Sequence, residues 1–393
     1  SHILSSLIQD DISLKFSTTS ISEYPTTSEI FLPNNKIPMP GEILIQKNLA
    51  ETLKIIAKEG RDAFYSGCIA EEISNYLEEN NAILNQNDFK NHSSNWGDPI
   101  STEYQGYTIY DTPPNTQGII ALSMLNILEG YNLKNYGPAS ADRIHLFTEA
   151  KKLAYEERDK YITDPSFTKI PVDKILSKES AILKRNMINM DKVYNYQDSG
   201  LFSNQDTTYF AVIDKDKNVA SVIQSLFHGF GSGVVLGKTG IIMQNRGSWF
   251  SLNPRHVNKI EPNKRTMHTL TAAMIFNDNQ PYAVLGSAGG SYQPQLHTIL
   301  INNIIDYKMN IQEALDFPRF LHGDELGEKT GVLNIENRIS KSNIQKLIDK
   351  GHNVKVHPEI HPLGHAQGII IHPNSKSLMG GADPRADGAA LAW

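Results

Sequence analysis

The chain is poor in cysteine and in long apolar runs, and it lacks a surplus of basic charge. Each shortage closes a set of options. Cys68 is the only cysteine in 393 residues, which excludes a disulfide framework and any metal cluster built on thiolates. As a lone thiol, Cys68 reads as a small core residue. Runs such as 119–128 are interrupted by Ser123 and Asn126 and are too short to span a bilayer. The net charge of −6 offers no footprint for nucleic acid. What remains is ordinary globular composition, 39% hydrophobic and 20% charged, at a length suited to two or three domains or one large layered domain.

Periodicity divides the chain near its middle. Leu49, Leu53, Ile56 and Ala57 fall on one helical face closed by Gly60, and 69–77 reads as a second short helix. Residues 104–110 alternate as one strand, which Pro113-Pro114 stops. A helix over 117–129 is apolar on nearly every side and should be buried. Another over 141–161 is amphipathic, with Glu156, Glu157, Arg158 and Asp159 on a solvated face. Residues 191–206 are mostly polar, with Val193 and Leu201 as the only aliphatics, and read as an exposed segment that is easily cut. Strands follow: 210–214 and 219–225 flank the turn Lys215-Asp216-Lys217-Asn218, with further candidates at 240–244, 282–285 and 368–372. Helices return at 299–307, 311–315 and 341–350. Strands lying between helical layers predict an α+β sandwich.

Two motifs invite chemistry that the spacing does not support, and a third leaves it open. Gly237-Lys238-Thr239 suggests a phosphate loop, but Ser232 stands where the first glycine is required, and 240–242 continues as strand. Its glycines fit a turn that runs close to neighbouring backbone. His357, His361 and His365 are four apart, yet Pro358, Pro362 and Gly364 forbid the helix that would align them on a metal. No cofactor is demanded. Gly286-Ser287-Ala288-Gly289-Gly290-Ser291 follows a strand and precedes a helix. Paired glycines there read first as a strand-to-helix turn that needs positive φ; they also expose backbone N–H groups, the donors an oxyanion needs.

Thr207 and Thr208 open the first strand of the second half. Branched side chains suit a pleated surface, so the pair by itself reads as a strand start. Scission between Asp206 and Thr207 would give it a second meaning. The freed α-amine titrates near ~8 and can take the proton of the Thr207 hydroxyl, making it a nucleophile.

In order along the chain, these pieces resemble the γ-glutamyltranspeptidase family of N-terminal nucleophile hydrolases. The resemblance is carried by Thr207-Thr208-Tyr209-Phe210-Ala211-Val212-Ile213-Asp214, Pro262-Asn263-Lys264-Arg265, the 286–291 turn and Ala382-Asp383-Pro384-Arg385. Gln46-Lys47-Asn48-Leu49-Ala50, Asp62-Ala63-Phe64-Tyr65 and Tyr104-Gln105-Gly106-Tyr107 carry it in the first half. It implies a four-layer αββα sandwich made as a precursor. The precursor is cut at Asp206–Thr207 into a partial large-subunit-like region, 1–206, and a small-subunit-like region, 207–393, both in one composite domain. It also implies that the N-terminal stretch of the large subunit, with an arginine that grips the substrate α-carboxylate, is absent from this sequence.

By the same resemblance Thr207 is nucleophile and, through its amine, base. Ser225 supports that amine where threonine is usual, and Gly289 and Gly290 receive the oxyanion. The substrate segment departs from the family pattern. Arg246 and Trp249 replace a glutamine and an aspartate around Ser248, and Phe227 replaces an asparagine. His268-Thr269 stands where paired serines bind the α-carboxylate. A cation and an indole repel or ignore the ammonium that an amide and a carboxylate would hold, whereas Arg246 suits an anion. The short link from Phe250 to Pro262 implies that the family's lid loop is missing.

The reading is a self-processing amide hydrolase or acyltransferase for γ-glutamyl compounds such as glutathione, passing the acyl group to water or an amine. The alternative acyl groups are glutaryl-type or poly-γ-glutamate amides. A third reading is an uncleaved relic used for binding. Partners are small molecules, with a homodimer left open, no nucleic acid and no membrane segment. No signal peptide is visible, but with the N-terminal stretch missing the compartment stays unknown, the cytoplasm slightly favoured.

Overall fold

The computed structural model describes residues 21–39, 41–195, 205–323, 331–358 and 363–393. His361 and the 196–204 part of the expected cut segment lie outside the described residues. The chain forms two compact units, 1–97 with 226–246, and 98–225 with 247–393. The 206/207 junction falls inside the second.

The first unit is mainly helical. Helix Lys47–Glu59 ends at Gly60 with φ 75°, and Cys68–Glu79 buries Ile69, Ala70, Ile73 and Leu77. The second matches the apolar spacing; the first forms over the expected residues, but Leu53 is exposed and Thr52 is its one buried residue. Cys68 itself is exposed, not core, because it sits at the first position of its helix, outside the buried stripe. The expected strand at 240–244 reduces to an isolated bridge between Val235 and Ile242. Gly240, at φ 72°, lets the chain run against the backbone of Leu49, where no side chain would fit. At Gly237-Lys238-Thr239 the Lys238 N–H is taken by Glu72 Oε1 at 2.8 Å, a carboxylate where a phosphate loop would hold an anion.

The second unit carries the sheets. Its six-stranded sheet has the order β1-β2-β5-β6-β10-β11, from β1 (Ile100–Tyr104), β2 (Tyr107–Asp111), β5 (Ala272–Asn277), β6 (Gln280–Ala288), β10 (His365–Ile371) and β11 (Leu378–Ala382). All its pairings are antiparallel. The single strand expected over 104–110 is therefore a hairpin. Gln105 and Gly106 both take positive φ, 51° and 83°, the conformation that matches the twist of the flanking strands.

One face of this sheet is covered by the helices Gly118–Leu128 and Gln293–Ile305, whose Leu122, Leu125, Leu300, Ile301 and Ile304 meet Ile109, Ala273, Ile275 and Leu285. Helix Gly118–Leu128 is buried along its whole length, as its unbroken apolar character predicts. On the other face lies β3 (Gln205–Ile213), paired with β4 (Val219–His228) in a separate two-stranded sheet. The ring of Tyr209 occupies the space where Gly286 has no side chain. Helix, sheet and second sheet are thus stacked in this unit as the expected α+β sandwich requires. A smaller sheet, β7 (Phe320–His322), β8 (Val332–Glu336) and β9 (Asn353–His357), has β8 and β9 parallel.

In helix Ala141–Tyr161 the expected charged face holds at Glu156, which is exposed, but not at Arg158. Arg158 is buried, its guanidinium 4.2 Å from the Tyr155 ring, and His145, Glu149, Lys151 and Lys152 are buried as well. Each finds a polar or aromatic partner inside, which amphipathic spacing does not reveal. The segment expected to be loose at 191–206 is tied at its start. Tyr194 N–H donates to Glu149 Oε2 at 2.6 Å, and Val193 N–H to Lys350 O at 3.1 Å.

Candidate active site

Thr207 lies at the start of β3, buried at 5% exposure, on the same strand face as Tyr209 two residues on. Its Oγ1 donates to Ser225 Oγ at 3.0 Å across the β3–β4 pair. Tyr209 fixes the strand. Its ring fills the gap over Gly286, and its hydroxyl meets Ser221 Oγ at 2.9 Å. Burial pushes that phenol well above its ordinary pKa, so it stays protonated.

Three residues beyond Gly286, β6 ends in the glycine turn. Gly289 has φ 129° and Gly290 φ 43°, both values that favour glycine. Gly290–Tyr292 is a 3₁₀ turn running into helix Gln293–Ile305. Gly289 and Gly290 stand at the opening of this helical run, so their N–H groups have no acceptor within it.

The His268-Thr269 stretch sits beside the turn. His268 N–H donates to Asn115 O at 2.9 Å, while Thr269 is buried and its carbonyl accepts from Gln117 Nε2 at 2.9 Å. Trp249 is buried too, and its indole N–H is directed at Met267 Sδ at 3.3 Å. Asn258, in the short link, sets this geometry. Its Nδ2 donates to Trp249 O at 3.0 Å and Thr266 Oγ1 at 3.1 Å, while its Oδ1 accepts from Met267 N–H at 2.9 Å. Ser248 is exposed.

The remaining two expected substrate residues belong to the first unit. There the Arg246 guanidinium lies 4.2 Å from the centre of the Phe227 ring, and burial pushes its pKa down to about 10. Phe227 has φ 81°, a rare conformation for a bulky side chain and a place where backbone strain is held.

Several buried residues behind the turn carry no obvious mark in the sequence. Asp111 Oδ1 accepts from Thr112 N–H at 2.7 Å and from the Thr271 hydroxyl, and Asp111 Oδ2 faces His297 Nδ1 at 3.5 Å. Gln293 Oε1 accepts from Thr271 N–H at 3.0 Å. The one available signal was an Asp and a Gln flanking Pro113-Pro114, just before a wholly apolar helix.

His357 caps β9 with its Nε2 2.8 Å from Asn334 Oδ1, and His365 opens β10, so these two serve different sheets. A different trio, His145, Glu149 and His352, brings its ligand atoms within 4.8 Å of one another. Lys152 is paired with Glu149 at 2.7 Å, and Lys350 is close by. Those ammonium groups occupy the electrostatic role of a cation, and the trio does not fit a metal.

The layered frame is that of the N-terminal nucleophile hydrolases, the fold of the solved cephalosporin acylase from Bacillus halodurans. Over 99% of this chain and 70% of that one, the two superpose with a TM-score of 0.89 at 33% identity. A family model described as gamma-glutamyltranspeptidase matches residues 5–393, and the chain belongs to that family. Its relatives include the glutathione hydrolase-like YwrD proenzyme of Bacillus subtilis, 42% identical over 94% of this chain and 70% of the relative. The oxamate amidohydrolase proenzyme of Klebsiella pneumoniae is 35% identical over 94% of this chain and 69% of its own length. With such relatives, the chain is an amidohydrolase of the glutathione hydrolase-like type.

Proposed function

We propose that the protein is made as a precursor, cuts itself between Asp206 and Thr207, and then uses Thr207 as nucleophile on an amide. The observation that carries this reading is the 3.0 Å bond from Thr207 Oγ1 to Ser225 Oγ at the start of β3. It holds the hydroxyl still beside the peptide bond that precedes it. In the processing step Oγ1 attacks the Asp206 carbonyl carbon and the C–N bond breaks. The hydroxyl proton passes to the nitrogen, which leaves as the new α-amine, and water hydrolyses the ester that remains. The two pieces, 1–206 and 207–393, act together as large and small subunits.

In turnover the amine accepts the Thr207 hydroxyl proton as Oγ1 adds to the substrate carbonyl. Gly289 and Gly290 N–H groups stabilise the oxyanion, a role worth about 2.7–4 kcal/mol per donor in comparable sites. Collapse releases the leaving amine with that proton, and water or an amine resolves the acyl-enzyme.

The acyl group favoured is one with a terminal carboxylate and no α-amine, a glutaryl-type or poly-γ-glutamate amide. Trp249 supports this: at the place the family gives to an ammonium-binding aspartate, its N–H is spent on Met267 sulfur and its ring carries no charge. In the sequence Arg246 stands at the neighbouring family position, where a cation replaces a glutamine. The name of one relative agrees, since oxamate carries a carboxylate and no α-amine. The second reading, γ-glutamyl compounds such as glutathione, is favoured by the names of the relatives from Bacillus subtilis and Escherichia coli.

Hydrolysis of glutaryl and γ-glutamyl p-nitroanilides by the processed protein separates the two. The glutaryl compound should be cleaved with the higher kcat/KM, and Trp249→Asp should shift the ratio toward γ-glutamyl by about tenfold, ~1.4 kcal/mol. A wild-type preference for γ-glutamyl would sink the acyl assignment.

A further inference from the structure

The glycine turn is held by its carbonyl groups. Tyr292 N–H donates to Gly289 O at 2.7 Å, Gln117 Nε2 donates to Gly290 O at 2.6 Å, and the Tyr155 hydroxyl donates to Ser291 O. In a trans peptide the N–H points away from the C=O of the same plane. The bond to Gly289 O therefore aims the Gly290 N–H outward, and the bond to Gly290 O fixes the plane that follows. Held on both sides, Gly290 is confined to its left-handed φ of 43°.

Gln117 does a second thing with the same nitrogen. Nε2 also donates to Thr269 O at 2.9 Å, so one amide ties the turn to the His268-Thr269 stretch. Both of its donors are spent on these carbonyls. The residue is fully buried, and among the described residues its Oε1 accepts no hydrogen bond. Leaving a buried acceptor unmade costs about 1–3 kcal/mol. An apolar side chain of the same length would fill the space without that cost but would take these donors from the Gly290 and Thr269 carbonyls, so the glutamine is there for its two bonds and not for packing alone.

We propose that Gln117 is a positioning residue for the reaction. It locks the Gly289–Gly290 turn to Thr269, which sets the oxyanion donors in register with the stretch that receives the acyl chain. The proposal rests on the oxyanion reading of the turn but not on which hydroxyl attacks.

Two variants test it. Gln117→Met keeps length and volume and removes both donors. Gln117→Glu keeps the shape but sets a carboxyl between two carbonyl oxygens, where only its protonated form can donate. With processed protein, and whichever of the two anilides wild type cleaves faster, Gln117→Met should lower kcat about tenfold or more. KM should stay within twofold and the melting temperature within a few degrees. Gln117→Glu should show a similar loss at pH 8, and its kcat relative to wild type should climb as pH falls toward 6. A Gln117→Met protein with kcat within twofold of wild type overturns the proposal. So does a Gln117→Glu protein whose relative kcat is flat with pH while its melting temperature drops, the signature of a plain packing role. Thr207→Ala, measured alongside, keeps the readings apart. Hydrolysis that survives Thr207→Ala yet falls in Gln117→Met refutes the nucleophile and retains Gln117.

Discussion

At the closing motif, Arg385 reaches both oxygens of Glu336, at 2.6 and 2.8 Å, and Asp383 Oδ1 at 2.9 Å, while Arg319 takes Asp383 Oδ2 at 2.6 Å. Behind the glycine turn the buried groups are mostly neutral. Asp111 Oδ2, Gln117 Oε1, Ser287 Oγ, Gln293 Nε2 and both His297 nitrogens make no hydrogen bond among the described residues. Both regions are buried and both are polar, but the first spends nearly all its capacity, Arg319 Nη1 and Arg338 Nε excepted. Paired charges of this kind brace a fold because removing one partner strands the other. Unspent polar atoms do the opposite, since each lowers stability unless something takes it up. The two regions sit at different ends of the balance between stability and chemistry, and substitutions should separate them.

The largest separation should come from Arg385→Ala, which strands Glu336 and Asp383. A loss of about 3–5 kcal/mol is expected, read as a much lower urea midpoint, whereas Gln117→Met, which exchanges one unmade buried acceptor for two, should lower it by no more than about 1–3 kcal/mol. Equal midpoints for the two variants would remove the distinction.

Acid should separate the braced motif from a third polar cluster. Burial, with Lys152, His145 and Lys350 adding to it, pushes His352 down to about 3. Burial lowers its hydrogen-bonded neighbour His145 as well. Unfolded histidine binds its proton near ~6.5, so this contribution to stability is complete above that pH and falls as pH drops toward 3. The slope is about 1.4 kcal/mol per pH unit for each histidine. For Asp383 burial works the other way, but Arg319 and Arg385 outweigh it and hold the carboxyl below its usual range. Its contribution is present above ~4 and is lost only on further acidification. Urea midpoints between pH 7 and 4 should fall steadily in wild type and less steeply in His352→Gln; identical slopes would count against the histidine assignment.

A smaller effect is expected at Ser225. Ser225→Ala removes one hydrogen bond from Thr207, worth about 1 kcal/mol, so scission should slow by roughly fivefold with the melting temperature lowered by no more than about 2–4 °C. An unaffected rate would mean that Ser225 does not position the hydroxyl.

Much of this was legible in the residues themselves. The apolar spacing of 47–59, 68–79 and 118–128 gave those helices, and the turn 215–218 gave the β3–β4 hairpin. Ordered motifs led to the family. What stayed hidden depends on partners distant in sequence. Arg158 looks solvated by helical spacing, yet the Tyr155 ring receives it inside. Tyr104 to Tyr110 alternates like one strand because nothing in the alternation marks the left-handed turn at Gln105-Gly106. Gln117 is ordinary as a residue type. Only the meeting of its amide with Thr269 and Gly290, more than 150 residues away, gives it a role.

The central claim is that Thr207 becomes an N-terminus and a nucleophile. Intact mass and N-terminal analysis of freshly made and aged protein, beside Thr207→Ala, tests it most directly. Wild type should yield two fragments, the second beginning at Thr207, while Thr207→Ala stays whole and inactive on both anilides. A wild-type chain that hydrolyses either anilide while remaining uncut would contradict the account.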